Sequence, residues 1–462
     1  MSLLWKSSLI AVTNTNTNTN TKSSYQSSRI LALLLLLAPG LTFAQFKPWY
    51  HQYNFTYGAK ARAMGNAFVA VADDLTASFW NPAGLAGLRE PEFYLAYKST
   101  GQDHDYELQD RRLPSDTRLY NYNFDGRLNQ IDFFAISAPF RAWRRPCTLA
   151  VGYYRYVAYG FKGTAKEMIT SLIGLWPPRR TTTEFAGSEG FDVLAFSLGV
   201  KAARFLSLGV TLQQFFGTGR RSFHTQEPDE EYFSSVTENL RGRSFVVGAL
   251  VTPSPWLRLG LAWRSALRNR LESTVATWQE DGTGEKFAEA SASCQAWVTF
   301  PEQYAAGVQL QPRPWLDLSA EYSASEWQRG SIENYFDAPR LPYPQLADWA
   351  SAQNQVRNLR LGAEARLELG RRILRLRGGW SRERQLYRDG VDAAVILNGY
   401  SLGAGWEFSP WLLLEAAYQR QRADFRENGY FNLRVEVPTH FRGDVIFLAL
   451  TYRFGHVFRP NR

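Results

Sequence analysis

The sequence predicts an all-β transmembrane barrel of 14 antiparallel strands, its lumen plugged by an N-terminal, partly helical hatch. Three observations predict it. Short turns alternate with long polar stretches, and apolar and polar residues alternate within the segments between them. Aromatic residues make up 15% of the 462 residues, yet nothing approaches the run of about 18 apolar residues that a spanning helix needs. A soluble chain of this length would usually divide into two or three domains, a single large barrel being the main exception. Two cysteines, Cys147 and Cys294, exclude a disulfide scaffold and a Cys-based zinc site. Five scattered His without an HExxH pattern give no metalloenzyme signature, and no cofactor or metal is expected.

Residues 1–44 read as an export signal with a low-complexity extension. Arg29 precedes the apolar run Ile30 to Ala38, Pro39 and Gly40 break it, and cleavage is expected after Ala44. The upstream "TNTNTNTNT" has no means of packing a core. Of the formal charge of +9, Lys6, Lys22 and Arg29 belong to this segment, so +6 remains, Arg-rich and dispersed. Such a distribution suits a solvated barrel lining and argues against a nucleic-acid partner.

Beyond residue 90 a unit repeats: strand, short turn with Pro and often Trp, strand, long polar stretch. It is plainest at 245–265, 304–325 and 400–420, and recurs at 133–157, 191–214 and 358–382. These six hairpins, with a first strand near 92–99 and a last at 444–455, give fourteen strands. The long segments fall near 100–126, 161–189, 217–241, 268–300, 326–353, 385–397 and 425–442. Barrels of the outer membrane have short periplasmic turns and long outer loops.

Facing follows from the period of two. Leu359, Leu361, Ala363, Ala365, Leu367 and Leu369 share one side, whereas Asn358, Arg360, Gly362, Glu364, Arg366 and Glu368 share the other. Leu316, Leu318, Ala320 and Tyr322 likewise oppose Asp317, Ser319 and Glu321. The apolar rows should meet lipid and the charges the lumen, so Leu361→Arg is expected to impair assembly far more than Arg360→Leu.

Ahead of the strands, residues 58–88 carry a small-residue run, the acidic pair Asp73 and Asp74, and Trp80 followed by Asn81-Pro82-Ala83 and Gly-Leu. Pro82 should stop any helix begun near Thr76 and hold Asn81 extended, where its side chain can cap backbone groups. The stretch resembles the N-terminal hatch of the FadL/TodX family of outer-membrane transporters for hydrophobic compounds. The resemblance implies a plug at 45–90 inside a barrel at 91–455, with a short tail at 456–462, and an outer-membrane location. Within such a plug Asn81, Pro82, Ala83, Asp73, Asp74 and Trp80 are the candidates for a gate touching substrate, the alternative being that Asn81 and Pro82 merely shape a turn. A sideways exit near a kinked third strand, about Thr148 to Gly160, is implied too; Gly152 and Gly160 are the candidates for weakening its ladder. Asp73 and Asp74 would need buried partners, for which Arg360, Arg375 and Arg377 are candidates.

Among the long segments, 164–180 is the most informative. Thr164 and Glu167 form a capping-box pattern ahead of Met168, Ile169, Leu172, Ile173, Leu175 and Trp176, predicting a short apolar helix ended by Pro177 and Pro178. Such a helix would capture an oily ligand or pack on a neighbouring loop. Arg179 and Arg180 suit a carboxylate or a lipopolysaccharide phosphate. No catalytic constellation stands out, so an enzyme is not expected. The reading is therefore hatch-gated passive uptake of long-chain fatty acids or hydrocarbons by a monomer. Its partners are the hydrophobic ligand, outer-membrane lipid and lipopolysaccharide, and the barrel-assembly machinery. The alternative is a PorV-like barrel serving a protein-secretion system, whose hatch carries a similar "WNPAGLA".

Overall fold

The computed structural model describes residues 56–109, 118–160, 162–169, 179–227, 230–334, 341–342, 355–370, 372–388, 394–428 and 436–455. The predicted signal, the tail and Leu172, Ile173 and Trp176 lie outside them.

Twenty strands form one sheet: β1 (Glu92–Gln109), β2 (Arg118–Ala142), β3 (Arg145–Ala158), β4 (Lys162–Ile169), β5 (Arg179–Val200), β6 (Leu206–Phe216), β7 (Thr218–Gln226), β8 (Glu230–Ser254), β9 (Leu257–Arg264), β10 (Leu267–Asp281), β11 (Lys286–Phe300), β12 (Gln303–Arg313), β13 (Leu316–Glu326), β14 (Ser331–Glu333), β15 (Leu341–Pro342), β16 (Gln355–Leu369), β17 (Arg372–Arg388), β18 (Ala394–Ser409), β19 (Leu412–Asn428) and β20 (Glu436–Arg453). Fourteen of them close a ring in the order β1, β2, β3, β5, β6, β8, β9, β12, β13, β16, β17, β18, β19, β20, all neighbours antiparallel. β20 returns to pair with β1 from Glu92↔Arg453 to Tyr106↔Thr439. Closure of β20 on β1 removes the two terminal sheet edges, whose unpaired amides would cost several kcal/mol each in lipid.

All six short hairpins of the sequence reading are present, and the facing holds. Leu359, Leu361, Leu367 and Leu369 are exposed on the outer face, whereas Arg360 and Glu364 are buried inside. Cys147 and Cys294 are not joined in a disulfide; Cys147 lies beside the first short turn and Cys294 within β11.

Two expectations for the long segments fail. Most of 217–241 and 268–300 is paired strand, because β4, β7, β10 and β11 carry the wall onward as continuations of β3, β6, β9 and β12. The helix expected from Thr164 is also absent over its first half. Residues Lys162–Ile169, with Met168 and Ile169, form β4, hydrogen-bonded to β2 on one edge and β5 on the other. A ladder on both edges satisfies every backbone group, which a capping box in isolation does not.

Residues 56–88 fill the barrel. They contain α1 (Ala59–Ala63), α2 (Ala77–Trp80) and a 3-10 helix over Pro82–Gly87. Ala59, Ala61, Ala63, Ala67 and Ala70 are at most 2% exposed, as close packing against a wall requires. α1 lies against β17 to β20, and the 3-10 helix lies against β3, β5, β6 and β8.

Candidate functional site

The turn at Asn81 is built as its residues dictate. Thr76 precedes α2, and Asn81 ends it in an extended conformation (φ −160°, ψ 98°) with Pro82 at the first position of the 3-10 helix. Proline lacks an N–H and fixes φ, so the first helix cannot run on. The Asn81 Oδ1 accepts from Ala83 N (3.2 Å), while its amide donates to the Val69 carbonyl (2.9 Å) and to the Ala249 carbonyl of β8 (3.1 Å). One buried side chain thus ties three segments together. Gly248 and Gly209 lie where Asn81 and Pro82 touch the wall, and a Cβ at either would overlap the hatch. Trp80 donates its indole N–H to the Tyr57 carbonyl (3.0 Å).

On the β13 to β19 side the hatch is held by charge. Glu321 of β13 accepts from the backbone N–H of Phe68 and Val69 with one oxygen (2.8 Å each), and its other oxygen pairs with Arg360 (2.7 Å). Arg360 also bonds Glu383 (3.1 Å). Arg377 pairs with Glu364 and Glu415 (2.7 Å each), and Lys60 of the hatch reaches Glu364 at 3.5 Å. Asp73 pairs with Lys60 (2.7 Å), and Asp74 accepts from Thr76 N (2.8 Å) and its hydroxyl. The expectation that wall arginines would serve Asp73 and Asp74 is therefore corrected. Those arginines are claimed by wall carboxylates, Arg375 by Glu407 (2.9 Å), whereas Asp73 and one oxygen of Asp74 find their partners within the hatch and the other Asp74 oxygen is buried without a hydrogen bond. Burial, with Asp73 beside it, pushes the Asp74 carboxyl up to about 7.

The β2–β3 side is aromatic. Tyr57 packs against Phe79 (4.6 Å between ring centroids), Tyr154 (4.7 Å) and Phe133 (5.8 Å), and Phe133 stacks on Tyr154 (5.6 Å). Here the wall ladder is broken. β2 pairs with β3 through Phe133–Ala142 and with β4 through Tyr120–Arg127, leaving Leu128–Asp132 without a partner in either. Where β6 gives way to β7, Leu240 N bonds the Gly217 carbonyl (3.0 Å); where β9 gives way to β10, Ser265 N bonds the Phe245 carbonyl (2.9 Å). Among the described residues no such stitch spans the β2–β3 break. It is a seam, packed by Leu128 and Ala158. The Tyr57 hydroxyl donates to the carbonyl of Arg155 (2.9 Å), the residue at which β3 leaves β2. Asp132, at a bulge opposite Ala96 and Tyr97 of β1, is fully buried and pairs with Lys98 (2.7 Å).

Of the two glycine candidates, Gly160 lies at the seam: a Cβ on it would stand 3.2 Å from Leu128 Cδ1. Gly152 does not, since it pairs with Ala135 and Ala195 on its two flanks, so a side chain there would not fill the break. Against the hatch a cavity of about 130 Å³ is lined by Val69, Phe79, Trp80 and Trp327, with Arg264 and Arg360 among its polar groups. Arg264 stacks on Phe79 (4.2 Å) and donates to its carbonyl (3.1 Å).

A family profile described as outer membrane protein transport protein (OMPP1/FadL/TodX) matches residues 51–331, spanning hatch, seam and more than half of the wall. The chain belongs to this family. Its members are outer-membrane transport barrels for hydrophobic compounds, not enzymes, and this member accordingly belongs in the outer membrane. Solved structures agree in fold. A Pseudomonas aeruginosa FadL homologue superposes with a TM-score of 0.60 at 17% identity, covering 87% of this chain and 99% of its own. The P. putida toluene transporter TodX gives 0.55 at 12%, covering 86% and 98%. The Ralstonia pickettii toluene transporter TbuX gives 0.51 at 14%, covering 86% and 98%. No curated protein sequence matches the chain.

Several contributors escaped the sequence reading. Glu321 was placed inward by parity, but nothing local says that it grips Phe68 and Val69 some 250 residues away. Lys60 was legible as a cation in an alanine-rich run and so as a nearer partner for Asp73. Tyr57 carries no local signal.

Proposed function

We propose that this family member admits small hydrophobic compounds, hydrocarbons or fatty acids, to the cavity against Phe79, Trp80 and Trp327 and releases them sideways through the β2–β3 seam. The observation that carries the reading is the seam itself, with a hatch tyrosine bonded to its edge. A cavity of about 130 Å³ is close to the roughly 150 Å³ that accommodates benzene in an apolar protein interior. The neighbours described as toluene transporters support the same class. A lateral route also spares an oily ligand the aqueous periplasmic mouth, at about 25 cal/mol per Å² of apolar surface. The hatch acts as the gate, with Asn81, Pro82 and Ala83 fixing its closed position and Trp80 linking that turn to Tyr57. Asp73 and Asp74 hold the fold of the hatch, and the outer extensions, with Met168 and Ile169 in β4, make the entry.

Uptake of labelled toluene and labelled oleate in a deletion strain carrying the wild-type chain or a variant lacking Asn81–Ala83 tests this. The reading expects wild-type uptake of at least one compound and several-fold less with the variant, at equal amounts of heat-modifiable folded barrel. Equal uptake by both would contradict hatch gating, and no uptake of either compound would contradict the substrate class.

A further inference from the structure

We propose that Tyr159 is the positioning residue that creates the seam: its ring, docked on β5, β7 and β8, holds the link between β3 and β4 away from β2. The consequence for transport rests on the lateral-exit reading above, while the geometry does not. Tyr159 follows the last residue of β3, and it is 6% exposed. Its hydroxyl donates to Glu238 of β8 (2.8 Å), and its ring lies under the Arg221 guanidinium of β7 (4.8 Å), itself paired with Glu238 (2.6 Å). Phe191 of β5 meets the ring edge-on (5.3 Å). The backbone N–H of Tyr159 donates to the Glu189 carbonyl of β5 (3.1 Å).

The receiving surface is shaped for this residue. Gly219 lies beneath the ring and Gly187 beneath its carbonyl, and a Cβ at either position would occupy the same space. Glu189 adopts φ 63°, a left-handed conformation that costs a side-chain-bearing residue energy and persists only where surroundings enforce it. All these partners stand on the side of the link opposite β2. The wall bulges at the approach to the dock: β3 and β5 slip register between Arg155 and Val157, and the intervening Tyr156 packs on Phe215 (4.8 Å). An aromatic ring, a charged pair and two glycines therefore outweigh the few ladder bonds that β2 would otherwise supply.

Hydrogen exchange of the full-length barrel, read on peptides covering 128–132, distinguishes this from a structural role alone. Releasing the link by Tyr159→Ala, or blocking its dock by Gly219→Val, should let β3 re-pair with β2. Exchange there should slow several-fold, while uptake of labelled toluene falls several-fold at equal folded barrel. Tyr159→Phe keeps the ring and loses the hydroxyl, and should fall between. Unchanged or faster exchange at 128–132 in the folded variants would overturn the proposal, since merely loosening the wall speeds exchange. Slower exchange with unchanged uptake would uphold Tyr159 as the positioning residue and overturn the lateral-exit reading instead.

Discussion

The two sides of the hatch are held by different chemistry. Towards β13 to β19 it is clamped by Glu321, Glu364 and Lys60 in a buried lattice of carboxylates, arginines and backbone amides against a wall whose ladder runs unbroken from β13 through β16 to β17. Towards β2 and β3 it rests on aromatic rings and one hydroxyl, against a wall whose ladder is interrupted. Buried charges tolerate little displacement, because separating them leaves an uncompensated ion, whereas rings can slide at small cost. The charged side is suited to be the hinge and the aromatic side to be the part that moves.

The largest effect should come from breaking the hinge. Glu364→Ala removes the carboxylate that Arg377 and Lys60 share, leaving Arg377 only Glu415 and Lys60 only Asp73, and should cost up to about 3–5 kcal/mol, read as a fall in the temperature at which the compact gel band is lost. Arg360 sharpens the point. Parity alone predicted that Leu361→Arg would be far worse than Arg360→Leu. Leu361 faces lipid at 45% exposure, so arginine there costs about 2–4 kcal/mol. Removing Arg360, however, strands Glu321 and Glu383, a cost of the same order as for Glu364. The two variants should therefore impair folding comparably, and a benign Arg360→Leu would contradict the charged clamp.

A third prediction concerns pH. The carboxyl of Asp74 has its ordinary value of 3.8 raised to about 7 in the fold. The folded state thus holds a proton that the unfolded state gives up, and stability should decline as pH rises from about 4 to 7. Asp74→Asn should flatten that decline, stabilising the barrel at pH 8 and changing little below pH 4. The smallest effect is expected on the aromatic side. Tyr57→Phe removes one hydroxyl bond, about 1 kcal/mol, and should barely move the melting temperature while altering uptake. A loss as large as that of Glu364→Ala would erase the distinction between the two sides.

How much of this was legible in the sequence follows the range of the forces. Six hairpins and the inward or outward facing of Leu359 to Leu369 are local, fixed by a period of two and by Pro-Trp turns. The break at Asn81-Pro82 and the cap on Ala83 are local as well. The outer extensions were taken for loops because polar residues on both faces of a strand above the membrane erase the alternation that marks it within. Partners of Asp73 went to the wrong arginines since parity says which way a residue points but not which carboxylate stands nearer. Gly152 was preferred on glycine content alone, whereas the seam arises from the docking of Tyr159, a contact between strands distant in sequence.

The central claim is passage through the seam. It is tested most directly by joining its two edges with a short bis-methanethiosulfonate crosslinker, which forms a disulfide with each cysteine and loses methanesulfinate, in a Leu128→Cys, Gly160→Cys variant and measuring uptake of labelled toluene before and after reductive release. The positions are suitable, since a Cβ on Gly160 approaches the Leu128 side chain to 3.2 Å. Cys147 and Cys294, neither in a disulfide, are replaced by Ser in the background. The account predicts that the joined barrel loses most of its uptake and that reduction restores it, with the folded band unchanged. Equal uptake by the joined and released forms would show that the ligand leaves by another path.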